Sequence, residues 1–469
     1  MTAAAIQFGT SGWRGIIAHD FTFPGVRLAS AAIASYLLSQ KSSPAVLVGY
    51  DTRFFSEEFA RASAEVLSEK GCRVLLCAQA APTPAIACEI LRLRLDGGVN
   101  ITASHNPAAY SGLKFSGPDA GPASPEVTKK IEERAAELEH AGFGPPSCDA
   151  SEFERVDPRE PYLSRLAELV RFDTLRSARV TFVYDALHGC GAGWLDRLLA
   201  EQGIPSKSIR TNRDVLFDGG GPDPSEENLQ PLKKAVLAEE ASAGLATDGD
   251  ADRFGILDSD GGFVSPNHIL GLLLDFLIET RGWKLGASRS VATSHLLDAV
   301  TRLHGVPLYE TPVGFKYVGE FIRKDAIVIG GEESAGLTIR GHVPEKDGLL
   351  ACLLVAEMVA ARRRPIAEQL RILFRKVGAE YWPLRLNLHL RADLQEGLKA
   401  RLAEDFKSFA GRKVLRSNRI DGCKMEFEDG SWTLMRPSGT EPVMRIYAEA
   451  SSPSASRQLA EDAQRWINQ

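Results

Sequence analysis

Short β-rich runs alternate with amphipathic helical stretches through the first two-thirds of the chain, and this alternation restricts the fold to βα units built on parallel or mixed sheets. The pattern predicts a strand over Ala45–Tyr50, a helix over Ser56–Lys70, and strands over Cys72–Cys77 and Gly98–Thr102. A second unit opens with a strand at Val180–Tyr184, turns at Gly189–Gly193 and continues in a helix through Leu199. A third runs as a helix from near Pro266 to Arg281, a strand over Ser290–Thr293, a helix over Leu296–His304 and a strand over Ala326–Ile329. Beyond Val377 the character changes. A strand over Leu384–Leu390, a helix over Leu394–Phe409 and strands near Lys424–Phe427 and Arg445–Ala448 read as a separate α+β domain. Gly142–Asp149, with Pro145 and Pro146, and Arg362–Pro365 read as linkers. At 469 residues the chain is about three times the commonest domain size, so four domains are expected: 1–148, 149–257 and 258–370 as α/β, and 371–469 as α+β.

Composition narrows the function. A formal net charge of −6 argues against a nucleic-acid binder with a broad basic face, yet a local Arg/Lys cluster can still hold an anion in a cleft. The seven cysteines are dispersed, without CxxC pairs or zinc-ligand spacing, and read as reduced thiols of a cytoplasmic protein. No Lys or Arg precedes Arg14 and no apolar run follows the start, so no secretory signal is expected. The apolar stretches Ile269–Ile278 and Leu349–Ala361 are interrupted by Asp275 and Glu357 and suit buried helices rather than membrane spans.

Five segments carry polar chemistry. Thr102-Ala103-Ser104-His105-Asn106-Pro107 follows a buried strand, which sets Ser104 at the carboxyl end where open α/β sheets place their ligand sites. A serine nucleophile needs a base or cation nearby, and His105 and Lys114 are candidates; the same residue types also make a plain turn. Asp248-Gly249-Asp250-Ala251-Asp252-Arg253 repeats a carboxylate at every second position, so an extended loop would aim all three at one hard cation. It is no EF-hand, because Arg253 stands where glycine is needed and Ser259 where glutamate is needed. Magnesium suits it, keeping few protein carboxylates and leaving room for a phosphate oxygen; a solvated acidic loop is the other reading. Arg436-Pro437-Ser438-Gly439-Thr440-Glu441-Pro442, followed by Arg445, has the hydroxyls, glycine and guanidiniums of an anion cradle, or of another turn. In Gly331-Glu332-Glu333-Ser334-Ala335-Gly336, Glu332 and Ser334 could bond vicinal sugar hydroxyls, although paired glutamates also occur in solvated loops. Phe8 to Gly15 is punctuated by glycine and carries Arg14, suited to line the same cleft.

Together and in this order these segments resemble the α-D-phosphohexomutase superfamily over nearly the whole chain. The resemblance implies three similar α/β domains and a C-terminal α+β domain around a central cleft, each supplying one loop. It implies that Ser104 carries a phosphate, that Mg2+ sits on that phosphate and on Asp248, Asp250 and Asp252, and that Lys114 is the general acid/base. His105, Arg14 and Arg253 would lie near the transferring phosphate, Glu332 and Ser334 on the sugar, and Arg436, Ser438, Gly439, Thr440 and Arg445 on the distal phosphate. The implied reaction interconverts hexose 1-phosphate and hexose 6-phosphate through a bound glucose 1,6-bisphosphate that reorients between two transfers. Thr311 to Tyr317 also resembles glucose-preferring phosphoglucomutases, with Lys316 in the cleft. Gly336 replaces the histidine that ends the GEMSGH form of dual mannose/glucose enzymes, and Glu333 the glutamine of the glucosamine form GEQSGH. Glucose is therefore favoured over mannose, and glucosamine is disfavoured. The alternatives are a phosphomannomutase or dual mutase, a metal-dependent sugar-phosphate phosphatase, and a silent sugar-phosphate binder. The expected partners are small hexose phosphates, with the chain a monomer or homodimer.

Overall fold

The computed structural model describes residues 6–9, 11–144, 153–390, 392–437 and 443–469. Its contacts group into two compact units. The first comprises Met1–Pro266, Ile322–Asp325 and Ser334–Ala367, the second Asn267–Phe321, Ala326–Glu333 and Glu368–Gln469.

The first unit holds two mixed sheets. In one, the strand Ala45–Tyr50 runs parallel to Arg73–Cys77 on one side and Gly97–Ile101 on the other, and Gly97–Ile101 continues antiparallel into Tyr110–Ser116 and then Trp13–Ile16. The central strands are apolar at almost every position and buried at all but Ala45, as strands covered on both faces must be. In the other, Phe182–Asp185 lies parallel to Ser206–Ile209 and Ala243–Thr247, and Ala243–Thr247 pairs antiparallel with Phe254–Asp258. The helix Gly348–Arg362 is apolar on nearly all sides and buried, capped where the Asp347 side chain accepts from the Leu350 amide at 2.8 Å. Its one buried acid, Glu357, accepts from the Arg171 amide at 3.1 Å, so the charge that interrupts the apolar run has a partner.

The second unit combines parallel and antiparallel sheets. Gly286–Ser290 lies parallel to Leu308–Thr311 and Ile327–Glu332. Trp382–His389, Val443–Ala450, Trp432–Pro437, Cys423–Phe427 and Arg412–Asn418 follow one another antiparallel. One face of this sheet packs Met425, Met435, Met444 and Ile446 against the helix Pro453–Ile467. The buried Asp275 of the helix Pro266–Arg281 meets His304 Nε2 at 2.9 Å and Lys376 Nζ at 3.1 Å, the second of the two interrupting acids thereby paired.

Two expected elements shift. The strand predicted over Ser290–Thr293 lies at Gly286–Ser290, because the Thr293 amide turns back to the Ser290 carbonyl at 3.0 Å and ends the extended run. The helix predicted over Leu394–Phe409 spans Ala392–Ala403, and Ser408–Phe409 instead forms a short strand paired with Arg412 and Lys413. Arg419 donates to the carbonyls of Leu402 and Glu404 at the helix end, supplying the partners that a further turn would have provided. Among the described cysteines none is in a disulfide, and no described helix is long and apolar enough to cross a membrane.

Candidate active site

Ser104 stands three residues beyond the central strand Gly97–Ile101, with φ at 52° in the left-handed region and 1% of its surface exposed. Such a backbone needs holding. The Ser104 amide donates to Thr102 Oγ1 at 2.9 Å, and the Arg53 guanidinium donates to the carbonyls of Ser104 and Asn106 at 2.6 Å each, Pro107 at 2.9 Å and Tyr110 at 3.1 Å. Arg53 is itself wholly buried and braced by Asp51 Oδ2, 3.1 Å from its Nε. Burial drives the Asp51 carboxyl upward against the pull of Arg53 and Ser56.

The acidic segment meets this loop directly. Ser104 Oγ donates to Asp248 Oδ2 at 2.6 Å, and a Cβ on Gly249 would lie 2.6 Å from the Ser104 carbonyl oxygen, so the two loops touch where only glycine fits. The three aspartates do converge, one oxygen from each lying within 4.8 Å of the others. They do so differently from the extended arrangement expected: Ala251 takes φ 56° and the segment is a turn, tied by the Ala251 amide to the Asp248 carbonyl. Its backbone is gripped from outside by the amides of Thr83, Cys190 and Gly348, which donate to Asp250, Gly249 and Ala251.

The chemistry of this donor set fits a hard divalent cation. All three carboxylates are buried, and among the described residues Asp250 Oδ1 and Asp252 Oδ1 have no hydrogen-bond partner. Burial, with the charges of Asp250 and Asp252, pushes the Asp248 carboxyl well above its usual range. Burial acts the same way on Asp252, but Lys114, Lys346 and Arg253 outweigh it and hold that carboxyl well down. Lys114 Nζ lies 2.6 Å from Asp250 and 2.9 Å from Asp252; burial works against its charge, but these carboxylates outweigh burial and raise its pKa. Lys114 is accordingly an ammonium at neutral pH, able to give a proton.

His105 and Arg14 join the group. His105 Nδ1 is 3.4 Å from Ser104 Oγ, the outer limit of a hydrogen bond, and burial together with Arg253 and Arg14 holds the imidazole well below its usual pKa, hence neutral. Arg14 reaches Asn106 Oδ1 at 2.7 Å from its antiparallel strand, and burial lowers its pKa to about 10, leaving it charged. Arg253 lies 3.8 Å from Asp252, and its amide donates to Asp248 Oδ1 at 3.0 Å.

Of the residues singled out in the sequence, the first unit thus gathers Ser104, His105, Lys114, Arg14, Asp248, Asp250, Asp252 and Arg253. Ser334 belongs to that unit as well, while Glu332, Lys316, Arg436 and Arg445 belong to the second. There Glu332 Oε1 accepts from the Gly314 amide at 2.7 Å, joining the glutamate segment to the turn that precedes the helix Phe315–Arg323. Lys316 Nζ lies 5.2 Å from the Tyr317 ring centre. Arg436 pairs with Asp421 at 2.8 Å and stands opposite Arg445 in the strand register. Ser438, Gly439 and Thr440 lie outside the described residues.

Three contributors escaped the sequence reading. Arg53 follows the strand Ala45–Tyr50 at its carboxyl end, so the rule that found Ser104 would have found it too. Thr83 Oγ1 donates to Asp250 Oδ2 at 2.6 Å from a helix start with no distinctive motif. Lys346 Nζ pairs with Asp252 at 2.9 Å. Its stem occupies the space beside Gly336, where a Cβ would come within 2.3 Å of Lys346 Cδ, so a larger side chain at position 336 would have to displace the lysine.

Models of the phosphoglucomutase/phosphomannomutase α/β/α domains I, II and III match residues 5–141, 160–261 and 265–377, and that of the C-terminal domain matches 398–465. A phosphoglucomutase/phosphomannomutase of Thermococcus kodakarensis is 31% identical, over 97% of this chain and 96% of its own. A probable phosphoglucosamine mutase of Methanopyrus kandleri is 32% identical, over 97% and 96%. The crystal structure of a putative phosphomannomutase from Thermus thermophilus superposes with a TM-score of 0.87 at 34% identity, covering 100% of both chains.

Proposed function

The chain belongs to the phosphoglucomutase/phosphomannomutase family of phosphohexomutases, and from that premise we propose that it interconverts glucose 1-phosphate and glucose 6-phosphate through a phosphate carried on Ser104. The observation that carries this reading is the contact of Ser104 Oγ with Asp248 inside a buried group of three carboxylates and two ammonium side chains. A free serine in a simple turn has no use for such surroundings; a phosphoseryl group, with its concentrated negative charge, does.

Asp248, Asp250 and Asp252 would hold Mg2+, which when bound supplies positive charge to phosphoryl oxygens. In the first transfer the bond between phosphorus and Ser104 Oγ breaks, a bond to a sugar hydroxyl oxygen forms, and the hydroxyl proton leaves. Lys114, held as an ammonium, donates the proton that Ser104 Oγ needs as it departs. His105, neutral and next to Ser104, takes the sugar hydroxyl proton in this transfer; in the second it gives that proton to the departing sugar oxygen, while Lys114 recovers its own from the attacking Ser104 hydroxyl. Arg14 and Arg253 spread positive charge around the transferring group, and Arg53 fixes where Ser104 Oγ stands. Turning the bisphosphate round and repeating the transfer restores the phosphoserine.

Glucose is proposed over mannose and glucosamine on the Glu332–Ser334 segment and on Gly336, which leaves the histidine of the dual-specificity form absent. The names of the relatives span all three sugars, so relative rates decide the choice. Incubation with glucose 1,6-bisphosphate followed by peptide mass analysis tests the intermediate: one added phosphate on Ser104 is expected. A protein that turns over hexose phosphate with Ser104 never phosphorylated would overturn it.

A further inference from the structure

The sheet of the second unit presents one face to its methionine-rich core and, on the other, gathers guanidinium groups. Arg445 and Tyr447 alternate with core residues on the strand Val443–Ala450 and so point the same way. The register sets Arg436 opposite Arg445 on one side, Asn387 opposite Arg445 on the other, and Arg385 opposite Tyr447. Directly opposed residues bring their side chains within about 5 Å, at which like charges repel. Arg436 has Asp421 as a partner, whereas among the described residues neither Arg385 nor Arg445 is in an ion pair. Arg385 lies 6.0 Å from the Tyr447 ring centre, and its Nε donates to Asn387 Oδ1 at 3.2 Å. The pKa of the Tyr447 phenol is raised by burial and by Glu333, and Arg385, Arg445 and Arg436 all pull it the other way, which places all three guanidiniums around one hydroxyl.

Three guanidiniums around a tyrosine, against the two carboxylates of Asp421 and Glu333, leave this site with one positive charge in excess. We propose that Arg385, with Asn387 beside it, belongs to this anion site and binds the phosphate of the substrate that is not being transferred, together with Arg436 and Arg445. The inference rests on the mutase reading for the identity of its ligand, a phosphate monoester, but the excess of cationic groups on the sheet face is independent of that reading. Arg385 is exposed on its strand and can swing from Asn387 to an incoming oxygen without disturbing the core.

Two substitutions separate charge from packing. Arg385→Met keeps an apolar stem against Tyr447 and removes the cation; Arg385→Lys keeps the charge and loses the planar fork. With glucose 1-phosphate, Arg385→Met should raise KM about tenfold and weaken competitive inhibition by inorganic phosphate by a similar factor. The kcat should stay within about twofold and the unfolding midpoint should not move, with Arg385→Lys intermediate in KM. Unchanged KM and unchanged phosphate inhibition in Arg385→Met would overturn the proposal. Should the wild-type chain turn over no hexose phosphate, the mutase reading fails by itself, and calorimetry with inorganic phosphate still decides this one: weaker binding to Arg385→Met supports it, equal binding overturns it.

Discussion

In the proposed reaction the chemistry turns on Ser104, whose place is set by Arg53 and Asp248. Ser104→Ala should lower turnover by at least about 10³-fold, because a nucleophile acts as a unit with its surroundings, while circular dichroism and unfolding stay close to wild type. Near-normal turnover in that variant would sink the assignment. Arg53 has the opposite profile. Arg53→Met leaves Asp51 buried without its partner and strips four carbonyls of their donor, so a loss of about 3–5 kcal/mol in urea unfolding is expected, with part recovered by adding Asp51→Asn. An unshifted urea midpoint would contradict the bracing role. Asp250→Asn should weaken magnesium binding and activity in step, measured by metal titration; full activity without added metal would remove Asp250 from the cation site. The residues themselves were legible because runs such as Ser-His-Asn-Pro or Asp-Gly-Asp-Ala-Asp concentrate chemistry in a few adjacent positions. Thr83 and Lys346 were not, since each reaches the site from a segment whose sequence shows an ordinary helix start or loop, whereas Arg53 stood within reach of the strand-end rule that found Ser104.

At the scale of elements, function gathers where strands end: Arg53 after Ala45–Tyr50, Ser104 after Gly97–Ile101, and Asp248 directly after Ala243–Thr247. Apolar strands of this kind announce themselves, and so does the amphipathic helix Leu296–His304, found where the periodicity put it. Gly286–Ser290 does not. Its Ser, Arg and Gly read as loop, yet all five positions are buried because Arg289 is neutralised by Asp298 at 2.6 Å and Glu310 at 2.7 Å, a pairing no local pattern reveals. Lys424 is a second such case, wholly buried with its ammonium on the Val291 carbonyl and His295 Nε2 and 4.1 Å from the Trp432 ring centre. Burial, with Arg289 nearby, lowers its pKa from 10.5 to about 8. Between those values the unfolded chain binds the proton more tightly than the folded one, so the cost of burying the charge is present below about 8 and is relieved as pH rises toward 10.5. Measured against Lys424→Met, wild type should gain on the order of 3 kcal/mol across that window. A difference that stays flat with pH would contradict the depressed ammonium.

Across the whole molecule, four sheets form among the described residues, three from the alternation of strands and helices in the first two-thirds of the chain and the fourth from the strand-rich segment beyond Val377. The proposed nucleophile and cation site, with the two ammonium groups, fall in one compact unit, and the cationic sheet face in the other. The mutase reading therefore requires that substitutions in either unit, Asp250→Asn in the first and Arg445→Ala in the second, depress the same turnover, the second chiefly through KM. The most direct measurement is a coupled assay of hexose 1-phosphate conversion to hexose 6-phosphate, with magnesium and a trace of glucose 1,6-bisphosphate, run on the glucose, mannose and glucosamine compounds side by side. The account predicts turnover that is fastest on glucose 1-phosphate and abolished in Ser104→Ala. No turnover on any of the three, by protein shown by mass to carry the Ser104 phosphate, would contradict it.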